Sequence, residues 1–136
     1  MPKLQVLKLE KCGIGFFEPL LLHGKLEHLS LMQNQLKDLN SIVFGERSGA
    51  YDLSGVELKT INLSGNQLTE FPYSALRLSE KLLKIDLSRN KISQISADVK
   101  FKTFERLMLL DLSSNNLSSF PTGIKDLTRL KYLRLI

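Results

Sequence analysis

Hydrophobic positions along this chain follow a spacing that is neither helical nor simply alternating. In LMLLDLSSNNLSSFP, from Leu107 to Pro121, leucines at 107, 110 and 112 are followed by Asn115, Leu117 and then Phe-Pro. The same L-x-x-L-x-L-x-x-N-x-L order recurs at Leu58, Ile61, Leu63, Asn66, Leu68 and at Leu82, Ile85, Leu87, Asn90, Ile92. It recurs at Leu26, Leu29, Leu31, Asn34, Leu36, and at Leu4, Leu7, Leu9, Cys12, Ile14, with cysteine in the asparagine slot. A last, cut-short match runs through Leu130, Leu133 and Leu135. First leucines are separated by 22, 32, 24, 25 and 23 residues. The last two apolar positions of each L-x-x-L-x-L alternate with a solvent-type position, which predicts a short strand with one buried face.

The asparagine slot has a physical reading. After each strand the chain turns inward and leaves backbone groups without sheet partners, and buried backbone groups must be paired. An asparagine carries a donor and an acceptor on one short side chain. Asn34, Asn66, Asn90 and Asn115 are therefore expected to form a structural ladder, with Cys12 in the same pocket as a weaker donor.

A repeated pattern of this kind resembles the leucine-rich repeat family over essentially the whole chain. The resemblance implies an α/β-type repeat solenoid. It is a right-handed horseshoe or arc with a parallel β-sheet on its concave face and irregular or short helical convex returns. It implies a single leucine-rich repeat domain over residues 1–136, with five complete repeats and a truncated sixth at 130–136. No repeat can bury its apolar face alone, so stability comes from stacking on neighbours. Leu117, Phe120, Pro121, Ile124 and Leu127 are similar to the tail of intracellular repeats found in signalling and scaffold proteins.

The convex returns differ from one another. After Phe71-Pro72, YSALRLSEK predicts a helical turn, and KTFERL predicts a short helix with Phe104 facing the core. The longest return holds an insert, Phe44 to Gly55, rich in glycine and charge. It reads as a convex or edge loop, either a tolerated excursion or a partner-binding segment.

Composition narrows the function classes. The net charge is +5, and the excess lies in the second half, where residues 69–136 carry 12 basic and 7 acidic side chains. The cations are interleaved with acids, so a solvated surface is expected rather than a nucleic-acid face. No run of 18 apolar residues suggests a membrane span, and the opening MPKLQVLKLEKCG lacks the apolar core of a signal peptide. Cys12 is the only cysteine, which excludes an internal disulfide and points to a reducing compartment, the cytoplasm.

Chemistry is sparse. His23 and His28 have no metal-ligand spacing around them, and there is no phosphate loop or nucleophile motif. No cofactor and no metal are expected, and an enzyme is the least expected class. The concave sheet surface is left. Its solvent-facing columns are Val6, His28, Thr60, Lys84, Leu109, Tyr132, then Lys8, Ser30, Asn62, Asp86, Asp111, Arg134, then Glu10, Met32, Ser64, Ser88, Ser113, Ile136. The expected partner-binding residues are His28, Met32, Lys84, Asp86, Arg89, Leu109, Asp111, Tyr132 and Arg134, since Tyr and Arg are favoured anchors at interfaces.

The expected function is a non-catalytic interaction module or scaffold that binds a protein partner through this surface. The alternatives are a fragment of a receptor ectodomain that recognises an extracellular ligand and, further off, an RNA-binding or ribonucleoprotein-binding repeat domain. RLKYLRLI ends within a strand, which reads as a fragment or a short isoform. Its open end is expected to expose Leu127 and to support weak end-to-end self-association.

Overall fold

The structure is a computed structural model that describes residues 3–18, 24–48 and 51–136. His23 lies outside the described residues. The elements in chain order are β1 (Val6–Lys8), β2 (His28–Ser30), β3 (Arg47–Ser48), β4 (Tyr51–Asp52), β5 (Thr60–Asn62), α1 (Tyr73–Leu76), β6 (Lys84–Asp86), β7 (Leu109–Asp111) and β8 (Tyr132–Arg134). Two short 3-10 helices, Phe101–Phe104 and Thr122–Asp126, lie on the returns.

Six strands form one parallel sheet in the order β1-β2-β5-β6-β7-β8. The register follows the leucine spacing. Leu7, Leu29, Ile61, Ile85, Leu110 and Leu133 pair as one row. Val6, His28, Thr60, Lys84, Leu109 and Tyr132 pair as the row before it. The sheet stays open and lines the concave face of a leucine-rich repeat arc, with few helices behind it.

Behind the sheet the repeat leucines meet in one core. Leu31, Leu58, Leu63, Leu82, Leu87, Leu107 and Leu112 are buried, and each such side chain contributes roughly 1.5–3 kcal/mol. On the convex wall Phe101 packs edge to face with both Phe71 and Phe104, the Phe71 and Phe101 centroids 5.4 Å apart, and Phe71 and Phe104 meet at a tilt. Tyr73 adds an edge contact to Phe104 at 6.2 Å. The aromatic cluster replaces what leucines do in a regular return.

Two expectations are corrected here. The Phe44–Gly55 insert is not a plain loop: β3 and β4 pair antiparallel within it, Arg47 opposite Asp52. Its ends are core, with Phe44 and Leu53 fully buried. The antiparallel pair lies between these two buried anchors. Leu127 is buried as well: it caps the Thr122–Asp126 helix, its N–H bonded to Ile124 O, and it belongs to the core cluster. Among the described residues from 117 onward, the exposed large hydrophobic side chains are Phe120, Tyr132, Leu133 and Ile136.

Candidate functional site

The turn that follows each strand sets the geometry of the concave rim. The residue ahead of each asparagine slot has a left-handed backbone: Lys11, Gln33, Gly65, Arg89 and Ser114, with φ between 55° and 69°. Only at Gly65 is the residue of the type that favours this conformation. Of the other four, Gln33, Arg89 and Ser114 are each followed directly by a bonded asparagine. Asn90 Nδ2 donates to Leu63 O and Leu87 O, each at 3.0 Å, and its Oδ1 accepts from Leu68 N at 3.0 Å. Asn66 repeats this with Leu31 O, Leu63 O and Leu36 N, and Asn115 with Leu87 O, Leu112 O and Ile92 N. Asn34 repeats it with Leu9 O, Leu31 O and Ile14 N, and also takes the N–H of Cys12. Each asparagine thus ties its own turn to the repeat before it.

Cys12 departs from this pattern. Its thiol is exposed, and Sγ donates only to Glu10 O at 3.3 Å. No described repeat stands on its outer side to make a pocket.

A second device sits one column over. Asn62, Asp86 and Asp111 each present Oδ1 to the serine two residues on. Asp86 accepts from Ser88 N at 3.0 Å and Ser88 Oγ at 2.7 Å. Asp111 accepts from Ser113 N at 2.9 Å and Ser113 Oγ at 2.6 Å. Asn62 does the same with Ser64. These short local bonds close the strand end. The spacing Asn/Asp-Leu-Ser is the sequence signal for them.

The expected partner-binding residues therefore fall into two groups. His28, Met32, Asp86 and Asp111 already have side-chain contacts. His28 Nδ1 hydrogen-bonds with Thr60 Oγ1 at 2.8 Å, Met32 Sδ takes Asn62 Nδ2 at 3.6 Å, and Asp111 lies 3.9 Å from Arg134. Ser30 Oγ also donates to Glu10 Oε2 on this half of the face. Arg89 stands on the left-handed turn, at the rim. Lys84, Leu109 and Tyr132 form one continuous row across β6, β7 and β8. Lys84 and Tyr132 are exposed, and Leu109 is half-buried. Among the described residues this row has no ion pair and no side-chain hydrogen bond.

Two ion pairs lie just ahead of the strands. Lys59 Nζ lies 2.7 Å from Glu27 and Lys81 Nζ 2.6 Å from Glu57. The Lys81 hydrogen bond, backed by the charge of Lys81 itself, holds the Glu57 carboxyl below its ordinary range. The Lys59 hydrogen bond does the same for Glu27, against some loss of water around it. Both pairs are exposed and contribute little to stability. Among the described residues no group of three or more His, Cys, Asp or Glu side chains could hold a metal ion. Among them, too, no helix is long and apolar enough to cross a membrane.

Comparison with known proteins fits this geometry. The leucine-rich repeat family model matches residues 57–78 and 106–127. The chain is 30% identical over 108 residues to an acidic leucine-rich nuclear phosphoprotein 32-related protein of Caenorhabditis elegans, a match that covers 77% of this chain. It spans 44% of that protein's length. A leucine-rich repeat protein of Leptospira interrogans superposes with a TM-score of 0.66 at 24% identity, over 93% of this chain and 36% of its own. The spacing, the asparagine ladder, the open parallel sheet and these matches agree: the chain carries leucine-rich repeats and has the leucine-rich repeat fold.

Proposed function

We propose that this chain is a non-catalytic interaction module that binds a protein partner through the β6–β8 half of its concave face. The observation that carries the reading is the row Lys84, Leu109, Tyr132. A cation, an aliphatic side chain and a tyrosine that is 63% exposed stand side by side in register, with no internal partner to occupy them. Aromatic and cationic anchors beside a small apolar contact are what an interface needs at its centre. The frame under them is stapled once per repeat by the asparagines, so binding there loses little conformational freedom. The other half of the face satisfies itself through His28–Thr60, Ser30–Glu10 and Asn62–Ser64, and so has less to offer.

Catalysis has little to stand on, since the acids of the face are engaged in turn-closing bonds. We place the module inside the cell. Cys12 is a free, exposed thiol, which suits a reducing compartment. The Caenorhabditis elegans relative is by name a nuclear protein.

A photo-crosslinking amino acid placed at position 132 tests the reading. It captures a protein in cell extract, while the same group at Ser74 on the convex return does not. Equal capture at both positions moves the interface off the concave face.

A further inference from the structure

Three residues ahead of each of the six strand starts of the parallel sheet stand Lys3, Lys25, Glu57, Lys81, Arg106 and Arg129, five of them cations. Parallel register stacks them along one rim of the sheet, with neighbours separated by about 4.8 Å at the backbone. The two halves of this rim differ. In the first, Glu27 and Glu57 take up Lys59 and Lys81 as direct ion pairs. In the second, Arg106, Arg129 and Lys131 are exposed and make no direct ion pair among the described residues. An open groove runs between these three, floored by Leu83, Met108 and Leu130, each half-buried. Glu105 is its one acidic lining residue.

We infer that this rim groove binds an acidic peptide segment that carries one or two large apolar side chains. The floor removes an apolar side chain from water, which is favourable in proportion to the area covered. The two guanidinium groups present planar forks that suit carboxylates, and the Lys131 ammonium adds a third charge. The positive excess of residues 69–136 steers an acidic segment to this half of the molecule. A single-stranded nucleic acid fits less well. Such ligands need aromatic platforms for their bases, and no aromatic side chain lines the groove. The inference is independent of the concave row, since the groove precedes the strands rather than lying on them.

Fluorescence anisotropy with a short labelled peptide of glutamate and leucine tests this, beside the same peptide with serine for glutamate. The acidic peptide binds, and its affinity falls as salt rises. Arg106→Glu with Arg129→Glu lowers the affinity roughly tenfold or more. Both side chains are exposed, so the melting midpoint stays in place; should that pair fail to fold, Arg106→Gln with Arg129→Gln carries the test with a smaller loss. Tyr132→Ala leaves the affinity within about twofold, which separates this groove from the concave interface. No measurable binding of the acidic peptide overturns the inference. So does equal binding of the serine peptide, or equal binding by the charge-altered variants. Tighter binding of an oligouridylate or of phosphatidylserine vesicles than of the peptide overturns it in favour of those ligands.

Discussion

Phe71 and Phe120 stand in the same slot of two repeats, five residues past the turn asparagine and directly before a proline, yet Phe71 is 5% exposed and Phe120 is 60% exposed. Phe71 is enclosed by Phe101 and Phe104 from the following return. Among the described residues no aromatic ring packs on Phe120. The same sequence word thus has two energetic values. Phe71→Ala should cost about 3–5 kcal/mol, as for a buried phenylalanine, and Phe120→Ala less than about 1 kcal/mol. Thermal or urea unfolding of the two variants decides it. Equal losses would mean that Phe120 is covered in solution.

The asparagine ladder gives a paired comparison of the same kind. Asn90→Ala removes the acceptor for Leu68 N and the donor for Leu63 O and Leu87 O, all buried. A cost of about 1–3 kcal/mol follows from leaving such groups unpaired. Cys12→Ala, in the corresponding slot of the first repeat, removes one exposed contact and should shift the midpoint hardly at all. An unchanged midpoint for Asn90→Ala would show that water or a rearranged turn replaces the side chain.

Much of this was legible in the leucine spacing, because parallel register across repeats follows directly from a constant distance between the first leucine and the asparagine. The columns containing His28, Lys84, Leu109 and Tyr132 could be drawn on that basis alone. The return geometry could not. A positive φ usually announces itself through glycine, but here Gln33, Arg89 and Ser114 adopt it ahead of the asparagine bonds that follow. Arg89 reads as a free rim cation for that reason. The engagement of Asp86 and Asp111 was equally hidden, since it depends on a serine two residues away that looks like generic turn chemistry. Leu127 is buried within its own repeat's return, as a regular tail position, and not left bare at the end of the sheet.

Gly24 and Gly55 approach each other closely, and the approach is one-sided. A Cβ at Gly55 would lie 2.9 Å from Gly24 Cα, whereas a Cβ at Gly24 would clear Gly55 by 3.9 Å. Gly55→Ala should therefore cost about 1–3 kcal/mol through forced backbone movement. Gly24→Ala should change stability by less than about 0.5 kcal/mol. Comparing the two midpoints checks the packing of the second-repeat insert against the first return.

The edge of the sheet at β8 carries exposed Leu133 and Ile136 together with Lys131 and Arg134. An edge strand is a template for pairing with another chain, and same-sign charges oppose that pairing. Self-association should be weak and should strengthen as salt screens the cations. Sedimentation velocity across a concentration series, at low and high salt, reads this out. A species that stays monomeric under all those conditions shows that the β8 edge is protected.

The concave row makes the sharpest demand. Leu109 and Tyr132 are register partners on neighbouring strands, so Leu109→Glu with Tyr132→Glu sets two carboxylates side by side in the middle of the proposed interface. Like charges directly opposite each other repel, and neither offers the apolar contact that it replaces. Tyr132 is largely exposed and Leu109 half-buried, so the folded state should lose no more than about 1–2 kcal/mol. Loss of partner capture from cell extract, with the melting transition still cooperative, is the expected result. Normal capture by the double variant places recognition elsewhere. The hairpin-bearing segment from Phe44 to Gly55, with Arg47 and Asp52 exposed on it, then becomes the surface to alter next.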